Sequence, residues 1–182
     1  MSSPQPATVG ATVRRRSLAD LPDDLASALR PRVERLGYLG EFFQVSAHQP
    51  DALISLNALT EQLRDALPDV AAETVALTVA SATGNEYERH QHERLSLKLG
   101  FGEDWIRRVC AMNEPDDVQS TVLALLADRG HGARALVEQL ARDHGDAFAV
   151  AVVLLTGRYV MHSMVVNAFE LEPPVPSPLA DS

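Results

Sequence analysis

Residues 70–100 read VAAETVALTVASATGNEYERHQHERLSLKLG, and this stretch decides the fold class. Its first part, residues 70–82, is apolar or small on every side, which is typical of a helix that is buried all round. Gly84 interrupts this helix, and a second helical pattern begins at Asn85 and ends at Gly100. A fully buried helix followed at once by another helix indicates a core built from helices.

Glu73 is the only ionisable residue of the buried helix. A carboxylate in such surroundings costs free energy unless it is hydrogen-bonded, paired with a cation or protonated. Alternatively, Glu73 lies in the first turn, where it only complements the helix dipole at a solvated end. The sequence leaves both interpretations open.

Polar residues occupy core positions in the second helix. Leu95 and Leu99 define its inward stripe, which continues backwards at heptad spacing through His92, Glu88 and Asn85. Glu88 and His92 are four residues apart and can form a hydrogen bond on one face of the helix. An otherwise apolar seam therefore carries a polar cluster at its N-terminal half.

The Glu88–His92 pair has two possible roles. It is either a buried pair that fixes packing or a proton-transfer pair, since histidine titrates near neutrality and a neighbouring carboxylate raises its pKa. Tyr87 lies one position off the stripe and could flank the pair as a hydrogen-bond donor, whereas His90 and Glu93 are expected to be solvated. The predicted catalytic residues are Glu73, Glu88, His92 and Tyr87.

The rest of the chain shows helical periodicity without strand-like alternation. At 182 residues it fits one domain, for which we predict an all-α helical bundle of seven to nine helices over residues 21–172. Residues 1–20 are predicted to form a flexible arm and residues 173–182 a Pro-rich tail, because both are rich in Pro and Ser and have little periodicity.

Charge and hydropathy exclude several functions. A net charge of −9 argues against nucleic-acid binding, which needs a basic surface. The first twenty residues contain no apolar segment of a secretory signal, so a cytoplasmic location is expected. The longest apolar run, residues 147–157, is too short to span a bilayer and is followed by Arg158, which predicts a buried helix and no membrane association.

Motifs for cofactors and thiol chemistry are missing from the sequence. The single cysteine, Cys110, excludes an intramolecular disulfide and a CxxC pair, and its apolar neighbours indicate a small core residue. The chain has no phosphate-binding glycine motif, and Glu88 and His92 alone are two ligands short of a zinc site. We therefore expect neither a cofactor nor a bound metal.

The spacing of four residues resembles the carboxymuconolactone decarboxylase / alkylhydroperoxidase-D (AhpD-like) superfamily. Glu73 matches the glutamate of the family's buried helix and His92 its histidine, while Asn85 and Glu88 fall at the two positions of the CxxC pair. Residues 87–92 are similar to the cysteine-free version of the motif, although Arg89 departs from the usual Trp. Weaker similarities extend over about residues 20–175, among them residues 46–50, 155–159 and 167–169.

The resemblance implies an all-α fold assembled as trimers or hexamers, with a pocket near the glutamate and the histidine. Family members include hydroperoxide-reducing enzymes and lactone decarboxylases. Without the cysteine pair, thiol peroxidase activity is not expected. The long apolar run of the last helix independently predicts a homo-oligomer.

Two hypotheses for function follow. The first is an enzyme, a lyase or isomerase, that uses cofactor-free acid–base catalysis to decarboxylate, isomerise or dehydrate a small organic acid, lactone or related metabolite. The alternative is a non-catalytic oligomeric module for ligand binding or interaction, in which the polar cluster is a structural feature inherited with the fold and has no catalytic role.

Overall fold

The structure, a computed structural model, describes residues 13–179, so residues 1–12 of the predicted arm and residues 180–182 of the predicted tail lie outside it. Within the described range the chain forms helices and no strand, which confirms the all-α prediction. After a short 3-10 turn (Leu18–Asp20), the helices are α1 (Asp23–Leu36), α2 (Glu41–Ser46), α3 (Pro50–Asp65), α4 (Asp69–Ala82), α5 (Glu86–Lys98), α6 (Glu103–Ala111), α7 (Asp117–Ala127), α8 (Arg134–His144) and α9 (Asp146–Ala168).

Helix α4 is the centre of the fold. Every side chain from Ala71 to Ala80 is buried, because α5, α6, α7 and α9 all pack against this helix. The apolar and small residues that predicted burial on all sides are therefore in contact with neighbours on all sides. The main hydrophobic core lies between α4 and the end of α3, α7, α8 and α9, and a second cluster joins α1, α2 and α3.

Helix α5 keeps only part of the predicted stripe inside. Asn85, the N-cap residue, accepts a hydrogen bond from the backbone of Glu88, and both are buried. Further along, the buried face passes through Ser96 rather than through Leu99, which is 39% exposed. Leu99 follows the last residue of α5 as its C-cap, so the stripe extrapolated from Leu99 is buried only at its N-terminal half.

Glu93 is buried, and the prediction that it is solvated was wrong. Its carboxylate lies 2.8 Å from Arg89 Nη1 and accepts a hydrogen bond from Ser177 Oγ. This pairing with a cation and a hydroxyl offsets the cost of removing the carboxylate from water. Ser177 belongs to the tail, which covers this side of α5.

The described part of the predicted tail, residues 173–179, packs against the fold. Leu179 is buried against Leu77, Ile106 and Val109. Composition and periodicity did not predict this packing, because one buried leucine anchors a segment that otherwise has the composition of a loop.

Helix α9 is long and apolar enough to cross a membrane, judged by length and composition alone. More than half of that stretch is buried inside the fold, as expected for a core helix of this protein. The buried side of α9 contacts α3, α4, α7 and α8, and it brings several polar side chains to α4 and α5.

Candidate functional site

His92 lies at the centre of a buried polar cluster between α4, α5 and α9. Its Nδ1 is 2.7 Å from Oε2 of Glu73, and its Nε2 is 3.1 Å from the hydroxyl of Tyr159. Oε1 of Glu88 lies 3.8 Å from the same Nε2. The structure thus brings three of the four residues predicted as catalytic, Glu73, Glu88 and His92, to one place.

Glu73 is fully buried and paired on both oxygens. Oε2 accepts hydrogen bonds from His92 and from Ser96 Oγ, and Oε1 lies 2.9 Å from Arg64 Nη2 of α3. The alternative of a solvated carboxylate at the helix end was wrong, because α5 and α9 close over this turn of α4. A buried carboxylate with these partners holds the histidine in one orientation.

Glu88 is held from α9. Arg158 Nη1 donates to its Oε1 at 3.2 Å, and His162 Nε2 lies 3.4 Å from its Oε2. Arg158 itself is buried, and its Nε donates to Thr60 Oγ1 of α3 at 2.9 Å. Glu88 therefore sits in a fixed position between a cation and two imidazole rings.

The electrostatics of the cluster favour an imidazolium between two carboxylates. Burial alone would lower the pKa of His92, but Tyr159, Glu73 and Glu88 outweigh it and hold this pKa well above its usual value. Burial would raise the pKa of Glu88, yet His162, His92 and Arg158 bring it well below the ordinary range. For Glu73, His92 and Arg64 outweigh burial and lower the pKa as well. The proton of the cluster accordingly resides on His92.

A cavity of about 370 Å³ opens onto this cluster. Glu88, His92, Arg158 and Tyr159 line its wall, whereas Glu73 lies behind the histidine and does not reach the cavity. The volume is at the small end of ligand-binding pockets and suits a metabolite of about one ring. A ligand inside could contact Nε2 of the imidazolium and the Glu88 carboxylate together.

Tyr87 is not brought to this cavity. Its ring is buried, and its hydroxyl accepts a hydrogen bond from the backbone N–H of Phe42 at 3.4 Å. The hydroxyl also lies against Gly40, so that residue 40 has no room for a side chain. Burial raises the pKa of Tyr87, so the hydroxyl stays protonated. The hydroxyl at the cluster comes from Tyr159 of α9 instead.

Four residues of the cluster were not predicted from the sequence: Arg64, Arg158, Tyr159 and His162. A usable signal existed for Arg158, because it is the only charged residue of α9 after Asp146. A charge within a buried apolar helix indicates a partner inside the protein, which is the argument that singled out Glu73. Arg64 and Tyr159 carried no such signal.

His162 is a buried neutral histidine that positions Glu88. Its ring stacks on Phe42 with 3.9 Å between the ring centres, and burial lowers its pKa to about 3. Since the ring is neutral, Nε2–H donates to Glu88 and Nδ1 accepts from the Asn85 side chain, 3.4 Å away. Phe42 and Asn85 thus fix the ring that contacts Glu88.

Replacing His162 by Gln is expected to reduce the acid sensitivity of the fold. Unfolded chains take up a proton on this histidine below pH 6.5, whereas the folded protein takes it up only near pH 3, so stability falls as the pH drops through this window. The free energy of unfolding is measured by urea titration at several pH values. Its decrease per pH unit should be smaller in His162→Gln than in the wild type, by up to about 1.4 kcal/mol. Replacing the exposed His131 by Gln should leave the wild-type slope, and equal slopes in all three proteins would contradict the assignment.

Between residues 13 and 179, no group of three His, Cys, Asp or Glu side chains is arranged to hold a metal ion. Cys110 is half-buried, and burial raises the pKa of its thiol, which keeps it protonated.

Solved structures with the same arrangement of helices exist. The apo form of the debrominase Bmp8 matches with a TM-score of 0.74 and 14% identity, over 92% of this chain and 95% of that one. A cysteine-to-alanine variant of Bmp8 in complex with 2,3,4-tribromopyrrole matches with a TM-score of 0.72 and 14% identity, over 90% and 92%. An uncharacterized peroxidase-related protein from Ralstonia eutropha JMP134, an alkylhydroperoxidase AhpD core, matches with a TM-score of 0.73 and 20% identity, over 88% and 90%. No protein-family model and no curated protein sequence matches the chain.

The protein therefore has the AhpD-like helical fold, and the resemblance seen in the sequence is confirmed at the level of the fold. Within that fold, this chain carries Asn85 and Glu88 at the positions where the redox members of the superfamily it resembles carry cysteines, and its only cysteine is Cys110.

Proposed function

We propose that the protein is an enzyme that performs cofactor-free acid–base chemistry on a small organic acid, lactone or related metabolite, by decarboxylation, isomerisation or dehydration. The observation that carries the proposal is the position of His92, held between two carboxylates at the wall of a cavity of about 370 Å³. A histidine in such a position can exchange a proton with a ligand in the cavity.

His92 is the proposed general acid. In a decarboxylation, the bond to the departing CO₂ breaks, the electron pair moves onto the adjacent carbonyl as an enolate, and the proton on Nε2 is delivered to carbon. The high pKa of the imidazolium keeps this proton in place at neutral pH until such a basic centre forms. Water then returns a proton to His92, and the hydroxide that remains combines with the released CO₂ to give bicarbonate, so that no cofactor is consumed.

Arg158 and Tyr159 are proposed to stabilise the negative charge that develops on the substrate oxygen. Both line the cavity, and Arg158 is held by Thr60 and Glu88, so little reorganisation is needed during the reaction. Glu73 acts through His92 as a positioning residue, because its carboxylate fixes Nδ1 and does not reach the cavity.

Thiol peroxidase activity is not proposed, although one structural neighbour is described as peroxidase-related. Reduction of a peroxide by a cysteine pair requires a nucleophilic thiolate and a resolving cysteine. Cys110 has no partner in the sequence, and its raised pKa disfavours the thiolate.

Turnover in D₂O tests the proposal even though the substrate is unidentified. A panel of β-oxo acids and small lactones is incubated with the protein, and proton NMR follows loss of the substrate or deuterium incorporation at carbon. We expect at least one compound to react, and His92→Asn to abolish the reaction. Binding of an acid or lactone in the cavity without reaction would instead identify a non-catalytic ligand-binding module.

We also propose that the protein is a homo-oligomer, a trimer or hexamer, assembled through α9. The exposed side of this helix carries Val150, Leu154, Met161 and Met164, which are between 44% and 68% exposed. With Gly157 they follow a four–three spacing, which is the pattern of a seam that packs against another helix. Such a row of apolar side chains is unusual on the surface of a monomer.

Light scattering at micromolar concentration should give a multiple of the 19.7 kDa chain mass. Replacing Met161 by Glu should shift the protein towards the monomer, because a carboxylate within an apolar helix interface is costly. Leu136→Glu, on the exposed face of α8, is the matched control and should not change the mass. A wild-type protein of monomer mass would exclude the assembly.

A further inference from the structure

The cavity of the site carries more positive than negative charge. Three of its cations are paired with carboxylates: Arg32 with Glu61 at 2.6 Å, Arg64 with Glu73 at 2.9 Å and Arg158 with Glu88 at 3.2 Å. Two further cations, Arg94 and Lys98, line the same cavity, and within residues 13–179 neither forms an ion pair with a carboxylate. The wall of the cavity therefore carries two surplus positive charges.

The surplus is local, because the chain as a whole has a net charge of −9. A protein of this charge repels anions over most of its surface, so a pair of unmatched cations in a concave site directs anions to that site. Lys98 by itself could be explained by its place in the last turn of α5, where it complements the helix dipole. That explanation does not extend to Arg94, which lies in the preceding turn.

Arg94 is held at the cavity by the tail. Its Nε donates to the carbonyl oxygen of Pro176 at 3.3 Å, and the adjacent Val175 lines the cavity. A hydrogen bond through Nε restrains the guanidinium while its two Nη groups remain able to bind a ligand. The packed tail therefore turns an exposed arginine of α5 into part of the cavity wall.

The cations and the reacting centre are arranged along one helix. Arg94 and Lys98 follow His92 by two and six residues, which corresponds to about 3 Å and about 9 Å along the axis of α5 at 1.5 Å per residue. Leu95, between them in the sequence, lines the same cavity together with Leu36 of α1. The cavity wall thus combines the acid–base pair with apolar side chains and two cations that have no carboxylate partner in the described residues.

We infer that the ligand of this site is a small carboxylate whose anionic group binds Arg94 and Lys98, while an apolar ring or short chain places its reacting group at His92. The inference names the substrate class of the proposed function and rests on that function for the role of His92.

Binding of matched acids and amides tests this inference directly. Benzoate, cyclohexanecarboxylate and hexanoate are titrated into the full chain at low ionic strength, each beside its neutral amide, and backbone NMR shifts of α5 report binding. We expect at least one acid to bind about tenfold more tightly than its amide, and Arg94→Gln or Lys98→Gln to weaken that acid about 3–10-fold each without affecting the amide. The preference should decrease as salt is added, since these cations are exposed.

Arg108→Gln is the control, because Arg108 is an exposed cation on α6 that does not line the cavity. Equal affinity for acids and amides, no binding of any acid, or an effect of Arg108→Gln equal to that of Arg94→Gln would overturn the inference. The titration requires no turnover. If acids bind as expected but His92→Asn reacts like the wild type in D₂O, the proposed acid–base function has failed while the ligand class stands.

Discussion

Replacing Glu88 by Gln is expected to lower turnover by about 10²–10⁴-fold in the D₂O reaction. Gln keeps the shape and can accept from Arg158 or from His162 through its one oxygen, but its amide nitrogen cannot accept from the other, and the charge beside Nε2 of His92 is lost. The free energy of unfolding should change by no more than about 1–3 kcal/mol, because losing a buried carboxylate also relieves its desolvation.

The pH profile of the same variant separates a catalytic from a structural role. Glu88 helps to hold the pKa of His92 above its usual value, so Glu88→Gln should move the alkaline limb of the rate profile to lower pH. Glu93→Gln is the matched control: it removes another buried carboxylate of α5, which is paired with Arg89 and Ser177 away from the cavity. Unchanged turnover in Glu88→Gln together with a large loss of stability would show that the pair serves packing only.

Replacing Glu73 by Ala is expected to destabilise the fold by about 3–5 kcal/mol, measured by urea unfolding near pH 7. The substitution leaves Arg64 and the His92 imidazolium without their common carboxylate, which is fully buried between them. Glu138→Ala removes an exposed carboxylate that pairs with Arg134, and it should scarcely affect unfolding.

Glu73→Gln keeps the test informative if the alanine variant fails to fold. Gln fills the same volume and can accept from His92 and Ser96, so the loss of stability should be smaller than that of Glu73→Ala. A Glu73→Ala protein as stable as the wild type would mean that Arg64 and His92 find other partners, and that Glu73 does not organise the cluster.

The sequence by itself determined the class of fold and the centre of the site. Helix α4 could be recognised because its residues are apolar or small at every position, a pattern that only contact on all sides explains. Glu73 was singled out as the only charge in that helix, and the heptad extrapolation placed Glu88 and His92 on one face of α5. These inferences succeeded because helix periodicity fixes which side chains of one helix share a face.

Only the tertiary structure decided which helices complete the site. Arg64 of α3 and Arg158, Tyr159 and His162 of α9 reach the cluster across long separations in sequence. With His92, Arg64 lowers the pKa of Glu73, and His162 and Arg158 lower that of Glu88. The same packing directs Tyr87 away from the cavity.

Glu93 was likewise decided by packing, because the tail buries it beside Arg89. Periodicity shows that a helix face is buried, but it does not show which other element covers that face. The protonation of His92 and the surplus charge at Arg94 and Lys98 depend on those neighbours, because electrostatic interactions are decided by distance and burial rather than by separation in sequence.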